Sequence, residues 1–243
     1  MIGKVICAVA SLIFSSVAAS GQGGAALDIR YAASMQFSDE VLNAIEDVAT
    51  RQAMIDHARS FNKTFSLYFD GRIALFSEAE VTDTSGVDFA KVGKLYTDLA
   101  TRKTVKSEDL LGKQFFVDDT ARAFDWDIDM ETAATVLGKT CYKATTGQGE
   151  SKVVAWFCPE VPAPVGPSGY GGLPGLILRV VSGSFTYEAT QVAATKSGVA
   201  VTLPRAKDMT PREEYDKIRN DKFKALGVDL EAANGSSGVI VLD

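Results

Sequence analysis

Histidine and cysteine are scarce in this 243-residue chain, which has one histidine, His57, and three cysteines. No CxxC pair, HExxH pair, GxxxxGK[ST] loop or GxSxG elbow occurs, so the common zinc, nucleotide-binding and serine-hydrolase motifs are missing. A Ser-His-Asp triad could use only His57. The sequence therefore favours no reaction class and implies no cofactor or metal.

Basic residues are also fewer than acidic ones. The chain has 25 Lys and Arg against 31 Asp and Glu, which gives a net charge of −6 and a pI near 5.0. Nucleic-acid binding needs a basic field along the phosphates, so this composition argues against a nucleic-acid partner. No apolar run is long enough for a transmembrane segment. With 46% hydrophobic and 23% charged residues, the composition is that of a packed globular protein.

The first twenty residues have the pattern of a secretory signal peptide. Lys4 precedes an almost wholly apolar run over residues 5–14, and small residues follow at 15–20, where signal peptidase cuts. Cys7 follows Lys4 too closely to be the modified cysteine of a lipoprotein signal. We therefore predict a periplasmic or secreted protein whose mature chain begins near Gly21.

Removal of the signal peptide leaves Cys141 and Cys158, in a compartment that permits disulfides. Residues 140–146 and 152–159 are both strand-like, and a two-residue turn at Gly149-Glu150 would set the two cysteines opposite each other. Opposed residues of antiparallel strands lie within the range that a disulfide spans. The pattern favours a structural disulfide, and the alternatives are two free buried thiols or a reactive site.

A row of aspartates at Asp125, Asp127 and Asp129 has the spacing of the first three ligands of an EF-hand loop. Met130 stands where that loop needs a glycine, and Val136 stands where it needs a bidentate glutamate. Alternation along a strand gives the same spacing without a metal. A solvated strand face is therefore favoured over a cation site, with Ile128 and Met130 facing the core.

Secondary-structure signals predict roughly ten short strands and two helices. The pair Asp70-Gly71 between two apolar runs predicts a hairpin. One helix is predicted from an N-cap at Ser38 to about Ile55, and another from an N-cap at Thr210 to Gly227. The fold class is therefore mainly β (α+β), as a single curved antiparallel sheet or open half-barrel with two covering helices. The predicted organisation is a signal peptide at 1–20, one β-rich domain at 21–233 and a flexible tail at 234–243.

The most unusual stretch is AWFCPEVP at residues 155–162 followed by GPSGYGGLPGLIL at 166–178. Together with the WDI at 126–128 and the KAT at 143–145, it resembles the GLPGLI family of exported bacterial proteins of unknown function. The resemblance covers about residues 27–226. Lys139 replaces the family's usual tyrosine and Cys158 replaces a polar residue, which suggests that the disulfide is particular to this chain.

This stretch supplies the candidate site residues, which form either a structural corner or a recognition surface. Glycines permit positive φ and close approach, and prolines fix φ, so the chain is forced through a defined bend. Stiff bends also make recognition surfaces, with the two aromatic residues as exposed candidates. The candidate residues are Trp156, Pro167, Tyr170, Gly171, Gly172, Leu173, Pro174 and Gly175.

Two classes of function are compatible with these features. The first is a non-enzymatic periplasmic binding or envelope-assembly module for an apolar small molecule, a peptide or an envelope protein. The family resemblance implies an association with TonB-dependent receptor systems, which fits this class. The second is an uncharacterised periplasmic hydrolase. A cluster of serine, His57 and carboxylate would favour the hydrolase, whereas an open apolar cavity without one would favour binding.

Overall fold

The computed structural model describes residues 26–79, 93–195 and 201–227. The predicted signal peptide and C-terminal tail lie outside these residues. The described part contains twelve strands and three α-helices. The helices are α1 (Asp39–Asn43), α2 (Val48–Ser60) and α3 (Arg212–Ala225). The strands are β1 (Ala26–Met35), β2 (Asn62–Phe69), β3 (Ile73–Glu78), β4 (Leu95–Asp98), β5 (Lys103–Leu110), β6 (Lys113–Thr120), β7 (Asp127–Val136), β8 (Lys139–Thr146), β9 (Val153–Cys158), β10 (Leu176–Ser182), β11 (Phe185–Thr195) and β12 (Met209–Pro211).

All twelve strands belong to one open sheet in the order β12-β6-β5-β4-β3-β2-β1-β11-β10-β9-β8-β7. Neighbouring strands are antiparallel except for the β12–β6 pair, which is parallel. The sheet thus consists of two meanders, β1–β6 and β7–β11, joined by pairing of β1 with β11. The protein is mainly β, as the sequence predicts.

The core lies where the two meanders meet. Ile29 and Tyr31 of β1 alternate inward and are fully buried, as are Leu176 and Leu178 of β10. The Tyr31 hydroxyl donates a hydrogen bond of 2.7 Å to the Ile177 carbonyl, which satisfies the buried oxygen. Burial raises the pKa of Tyr31. This contact joins β1, the first described strand, to β10, in which the unusual stretch ends.

The first predicted helix is broken into two. Ser38 caps α1 as predicted, by accepting a hydrogen bond from the backbone of Val41. Asp47 caps α2 separately, accepting from the backbone N–H of Thr50 at 2.6 Å. Capping side chains compete with a continuous helix, which explains the break. Both predicted helical regions are helical, but the described residues contain three helices because the first region is divided.

Helix α3 begins later than predicted. Pro211 occupies the N-cap position, and Thr210 lies in β12, paired with Val117 of β6. The backbone of Thr210 is thus paired with the sheet, and no side chain caps the helix. Tyr215 is buried with its ring 5.3 Å from that of Phe115, so α3 covers the β5–β6 end of the sheet.

Strand β7 is an edge of the sheet, and this overturns the predicted inward alternation. Ile128 is 41% exposed and Met130 is 53% exposed. The ladder to β8 shifts register between Asp129 and Ala133. The Asp129 carboxylate stabilises this bulge by accepting hydrogen bonds from the backbone N–H groups of Glu131 and Thr132. A bulged, charged edge strand resists further pairing.

Candidate binding site

The candidate site residues lie mostly in the loop of residues 159–175, which joins β9 to β10 and is here called the β9–β10 loop. Successive backbone hydrogen bonds fold this loop against the sheet, among them Leu176 N–H to the Val161 carbonyl at 2.9 Å. Leu173 is fully buried, and so is Pro167. Because its backbone is hydrogen-bonded to itself and to the sheet, and because several of its side chains are buried, the loop is a packed part of the structure.

Three glycines of the loop, Gly169, Gly172 and Gly175, have a positive φ, and the last two belong to the predicted site residues. Gly172 has a φ of +85° and is exposed, with nothing within 4 Å of the position a Cβ would take. Gly175 has a φ of +158°, and a Cβ there would lie 2.3 Å from the carbonyl oxygen of Cys158. The loop's return to the sheet therefore requires a close approach of two backbones at Gly175.

Three aromatic residues form a cluster, one in the loop and two in the segment before β7. The ring of Tyr170 lies 5.1 Å from that of Phe124, which lies 5.3 Å from that of Trp126. The Trp126 indole donates a hydrogen bond of 2.9 Å to the Gly171 carbonyl. These contacts bind the loop to the segment that leads into β7.

The prediction that Tyr170 is exposed for recognition is wrong. Tyr170 is 8% exposed, and its hydroxyl is hydrogen-bonded to that of Ser182 at 3.0 Å. Trp156, the second predicted aromatic, is half-buried and packs against the main core. Both aromatic residues have apolar partners within the fold, which accounts for their burial.

Cys141 and Cys158 are fully buried free thiols. The β8–β9 ladder has the predicted register, since Lys143 pairs with Trp156. The predicted two-residue turn is absent, because residues 147–152 form a longer loop with a 3-10 turn at Gly149–Ser151. The predicted disulfide is not present in this structure.

Burial raises the pKa of the Cys141 thiol to about 11, and the neighbouring Cys158 adds to the shift. A thiol with this pKa is almost wholly protonated at neutral pH and is therefore a poor nucleophile. This argues against the reactive-site alternative.

A cavity of about 320 Å³ opens between the β9–β10 loop, strands β3 and β4, and residues 121–124. This volume lies within the range of small-molecule sites in proteins. Its walls are largely apolar, and the loop contributes Val165, Tyr170 and backbone at Gly171 and Gly172. The larger apolar side chains outside the loop are those of Leu67, Phe76, Leu95, Leu99 and Phe124. We call this cavity the cleft.

The one carboxylate found in the cleft lining among the described residues is already paired with protein groups. Asp98 is buried and accepts hydrogen bonds from the Arg72 guanidinium at 2.6 and 3.2 Å. It also accepts from the backbone N–H groups of Ala100 and Thr101 at 2.9 and 3.3 Å. Arg72, with these backbone bonds, holds the pKa of Asp98 well below its usual range. Asp98 thus remains ionised and shapes the β4–β5 turn.

Catalytic groups are not assembled in the cleft. Among the described residues, those that line the cleft include no histidine, serine or cysteine. His57 is exposed on α2, outside the cleft. Within residues 26–79, 93–195 and 201–227, no three His, Cys, Asp or Glu side chains are grouped so as to hold a metal ion. What the cleft can do chemically is to enclose apolar groups and, through two arginines at its rim, to contact an anion.

Those arginines, Arg102 and Arg122, were missed by sequence reasoning. Arg102 lies in the β4–β5 turn and Arg122 follows β6, so no local motif joins them. One local signal was available. Arg122 stands two residues before Phe124, in the aromatic segment that contacts the β9–β10 loop.

Residues 121–179 match the model of a family described as "Protein of unknown function (Porph_ging)". The match covers about a quarter of the chain and includes Arg122, the aromatic cluster and the whole β9–β10 loop. It is consistent with the resemblance found in the sequence, without giving the same family name. No curated protein matches the chain.

Two solved structures of PNGF-II, in the C2 and P21 space groups, are similar to this chain. Their TM-scores are 0.53 and 0.52, with 17% and 16% sequence identity. Each alignment covers 80% of this chain but only 32% or 33% of the solved one, so this chain spans about a third of their length. At this identity the likeness concerns the fold alone. None of the described helices is long and apolar enough to cross a membrane.

Proposed function

We propose that this chain is an exported, non-enzymatic binding module of the GLPGLI type, which holds an apolar ligand in the cleft. The observation that carries the proposal is the cleft itself, an apolar cavity whose wall is built by the most unusual stretch of the sequence. Apolar walls with few polar groups are typical of ligand sites. Curvature of the open sheet into a half-barrel around this site is part of the proposal.

The ligand is an apolar small molecule or an apolar peptide segment. A segment of an envelope protein, including a component of a TonB-dependent receptor system, belongs to the second kind. The hydrolase alternative has no support in the described lining of the cleft, where the one carboxylate is held by Arg72 and no histidine or serine occurs. The binding class is therefore favoured on the composition of the site.

Native mass spectrometry of protein purified from its own periplasm would reveal a bound molecule directly. In vitro, the neutral dye N-phenyl-1-naphthylamine is a suitable probe, because its fluorescence rises in apolar surroundings. Ala123 lines the cleft and is exposed, so Ala123→Trp should obstruct the cleft without disturbing the core. Ala53 is equally exposed on α2, outside the cleft, so Ala53→Trp is the matched control.

We expect saturable dye binding to the unmodified protein and to Ala53→Trp, and binding weaker by about tenfold or more for Ala123→Trp. The proposal would be contradicted by a linear, unsaturable signal. Equal affinity of the two tryptophan variants would also contradict it, because the dye would then be bound elsewhere.

A further inference from the structure

Arg102 and Arg122 differ from the other arginines of the described chain. Both line the cleft and are exposed, and neither has a carboxylate within ion-pair distance among the described residues. Every other described arginine has a carboxylate at 3.8 Å or closer, except Arg51, which donates to the Ile45 carbonyl. In a chain with a net charge of −6, this leaves two unpaired cations at one site.

The structure holds these two arginines on linked segments. The Ala121 N–H donates a hydrogen bond of 2.8 Å to the Arg102 carbonyl, which ties the β4–β5 turn to the chain that carries Arg122. The Arg122 guanidinium lies over the ring of Phe124, 6.0 Å from its centroid. Asp98 shapes the same turn and is neutralised by Arg72, so the charge left at the cleft is positive.

We infer that the cleft selects a single-chain anionic amphiphile, with the apolar chain in the cleft and a carboxylate or phosphate head at Arg102 and Arg122. The inference rests on the proposed function, which supplies the apolar part of the site. Guanidinium groups present donors in a planar fork that matches the oxygens of carboxylates and phosphates. A head group at the rim would remain partly hydrated, so its charge need not be fully desolvated.

The test compares ligands that share a chain and differ in the head: decanoate, decyl phosphate, decanol and decyltrimethylammonium. Each is titrated against the full mature protein by displacement of the neutral dye and by calorimetry. The variant is Arg102→Gln combined with Arg122→Gln. The matched control is Arg59→Gln, an exposed arginine of α2 with only a neighbouring Asp56 as partner.

We expect at least one of the two anions to bind about tenfold tighter than decanol, and the cation to bind weakest. The double variant should lose this preference while it retains neutral-dye binding, which shows that the fold and cleft are intact. Arg59→Gln should behave like the unmodified protein. Higher ionic strength should weaken binding of the anion but not of decanol.

The outcomes separate the inference from the proposed function. If decanol binds as tightly as both anions, the cleft is apolar but the anion selectivity is refuted. If the dye and all four compounds fail to bind, the proposed function and the inference both fail. Preference for decanoate or for decyl phosphate supports the inference and identifies the head group. A preference that persists in the double variant refutes the role of these arginines.

Discussion

Alanine substitutions at Gly175 and Gly172 distinguish two costs to stability, that of a close approach between backbones and that of a positive φ. Both glycines have positive φ, so a side chain is strained at either position. At Gly172 the added Cβ would meet nothing within 4 Å, whereas at Gly175 it would lie 2.3 Å from the Cys158 carbonyl oxygen and 2.9 Å from the Pro159 Cα. Those are backbone atoms that cannot rotate away. The Cys158 carbonyl also accepts the Val161 N–H at 3.2 Å, so its displacement weakens the start of the β9–β10 loop.

The expected magnitudes follow from these contacts. Gly172→Ala adds conformational strain of about 1–2 kcal/mol, partly offset by roughly 0.4–1 kcal/mol from the reduced entropy of the unfolded chain. Gly175→Ala adds to this a forced backbone shift of about 1–3 kcal/mol and the weakening of a hydrogen bond of about 1 kcal/mol. The free energy of unfolding should therefore fall by about 2–4 kcal/mol more for Gly175→Ala than for Gly172→Ala.

Urea unfolding followed by tryptophan fluorescence measures this difference, because Trp126 and Trp156 both contact the region. The midpoint should fall for both variants at an unchanged m value. In a chain of this size the extra destabilisation of about 2–4 kcal/mol corresponds to a melting temperature lower by about 4–16 °C. If the two variants differ by less than about 0.5 kcal/mol, or if Gly172→Ala is the less stable, the argument from close approach is wrong.

Four further predictions have simple readouts. Truncation of the buried Tyr170 to Ala should reduce the free energy of unfolding by about 3 kcal/mol, and Tyr170→Phe by about 1 kcal/mol; stability within error of the unmodified protein for the Ala variant would show that the side chain is not packed. Asp98→Asn should cost about 2 kcal/mol at pH 7. Because the pKa of Asp98 is lowered in the folded protein, its ionised form stabilises the fold fully above the unfolded-state pKa of about 3.9, and this stabilisation is lost as pH falls below that value. The free energies of unfolding of the unmodified protein and of Asp98→Asn should therefore converge in acid. A difference between them that does not change with pH would refute this. A disulfide between Cys141 and Cys158 stays a prediction for the exported protein, worth roughly 3 kcal/mol of stability; two alkylated thiols after denaturation without reductant would contradict it. N-terminal sequencing of exported protein should find a start near Gly21, and an intact first methionine would contradict cleavage.

The β8–β9 hairpin shows which parts of the fold could be predicted from the sequence. Two strand-like segments placed symmetrically about residues 149 and 150 predict the pairing of Lys143 with Trp156, and the structure has it. The turn type was wrong, because the loop is longer by an equal number of residues on each side. Symmetric lengthening leaves the register unchanged, which is why the pairing was predicted correctly despite the wrong turn.

Strand β7 shows what the sequence could not provide. The alternation around Ile128 and Met130 is that of a strand with one buried face, but β7 is an edge with a bulge, and both side chains are exposed. Alternation describes a strand and not its place in the sheet. The cleft could not be predicted from the sequence for a related reason. Its walls come from β3, β4, residues 121–124 and the β9–β10 loop, which become neighbours only once the sheet has formed.

The β9–β10 loop combines the two roles that the sequence left as alternatives. Leu173 and Pro167 pack inward and Gly175 allows the return to the sheet, which is the behaviour of a structural corner. Val165 and Tyr170 also line the cleft. Because packing and hydrogen bonds fix the loop without a ligand, binding need not order it, and less interaction energy is lost to loop entropy. On the proposed function, the tightly constrained corner is therefore the means by which the cleft is formed in advance of its ligand.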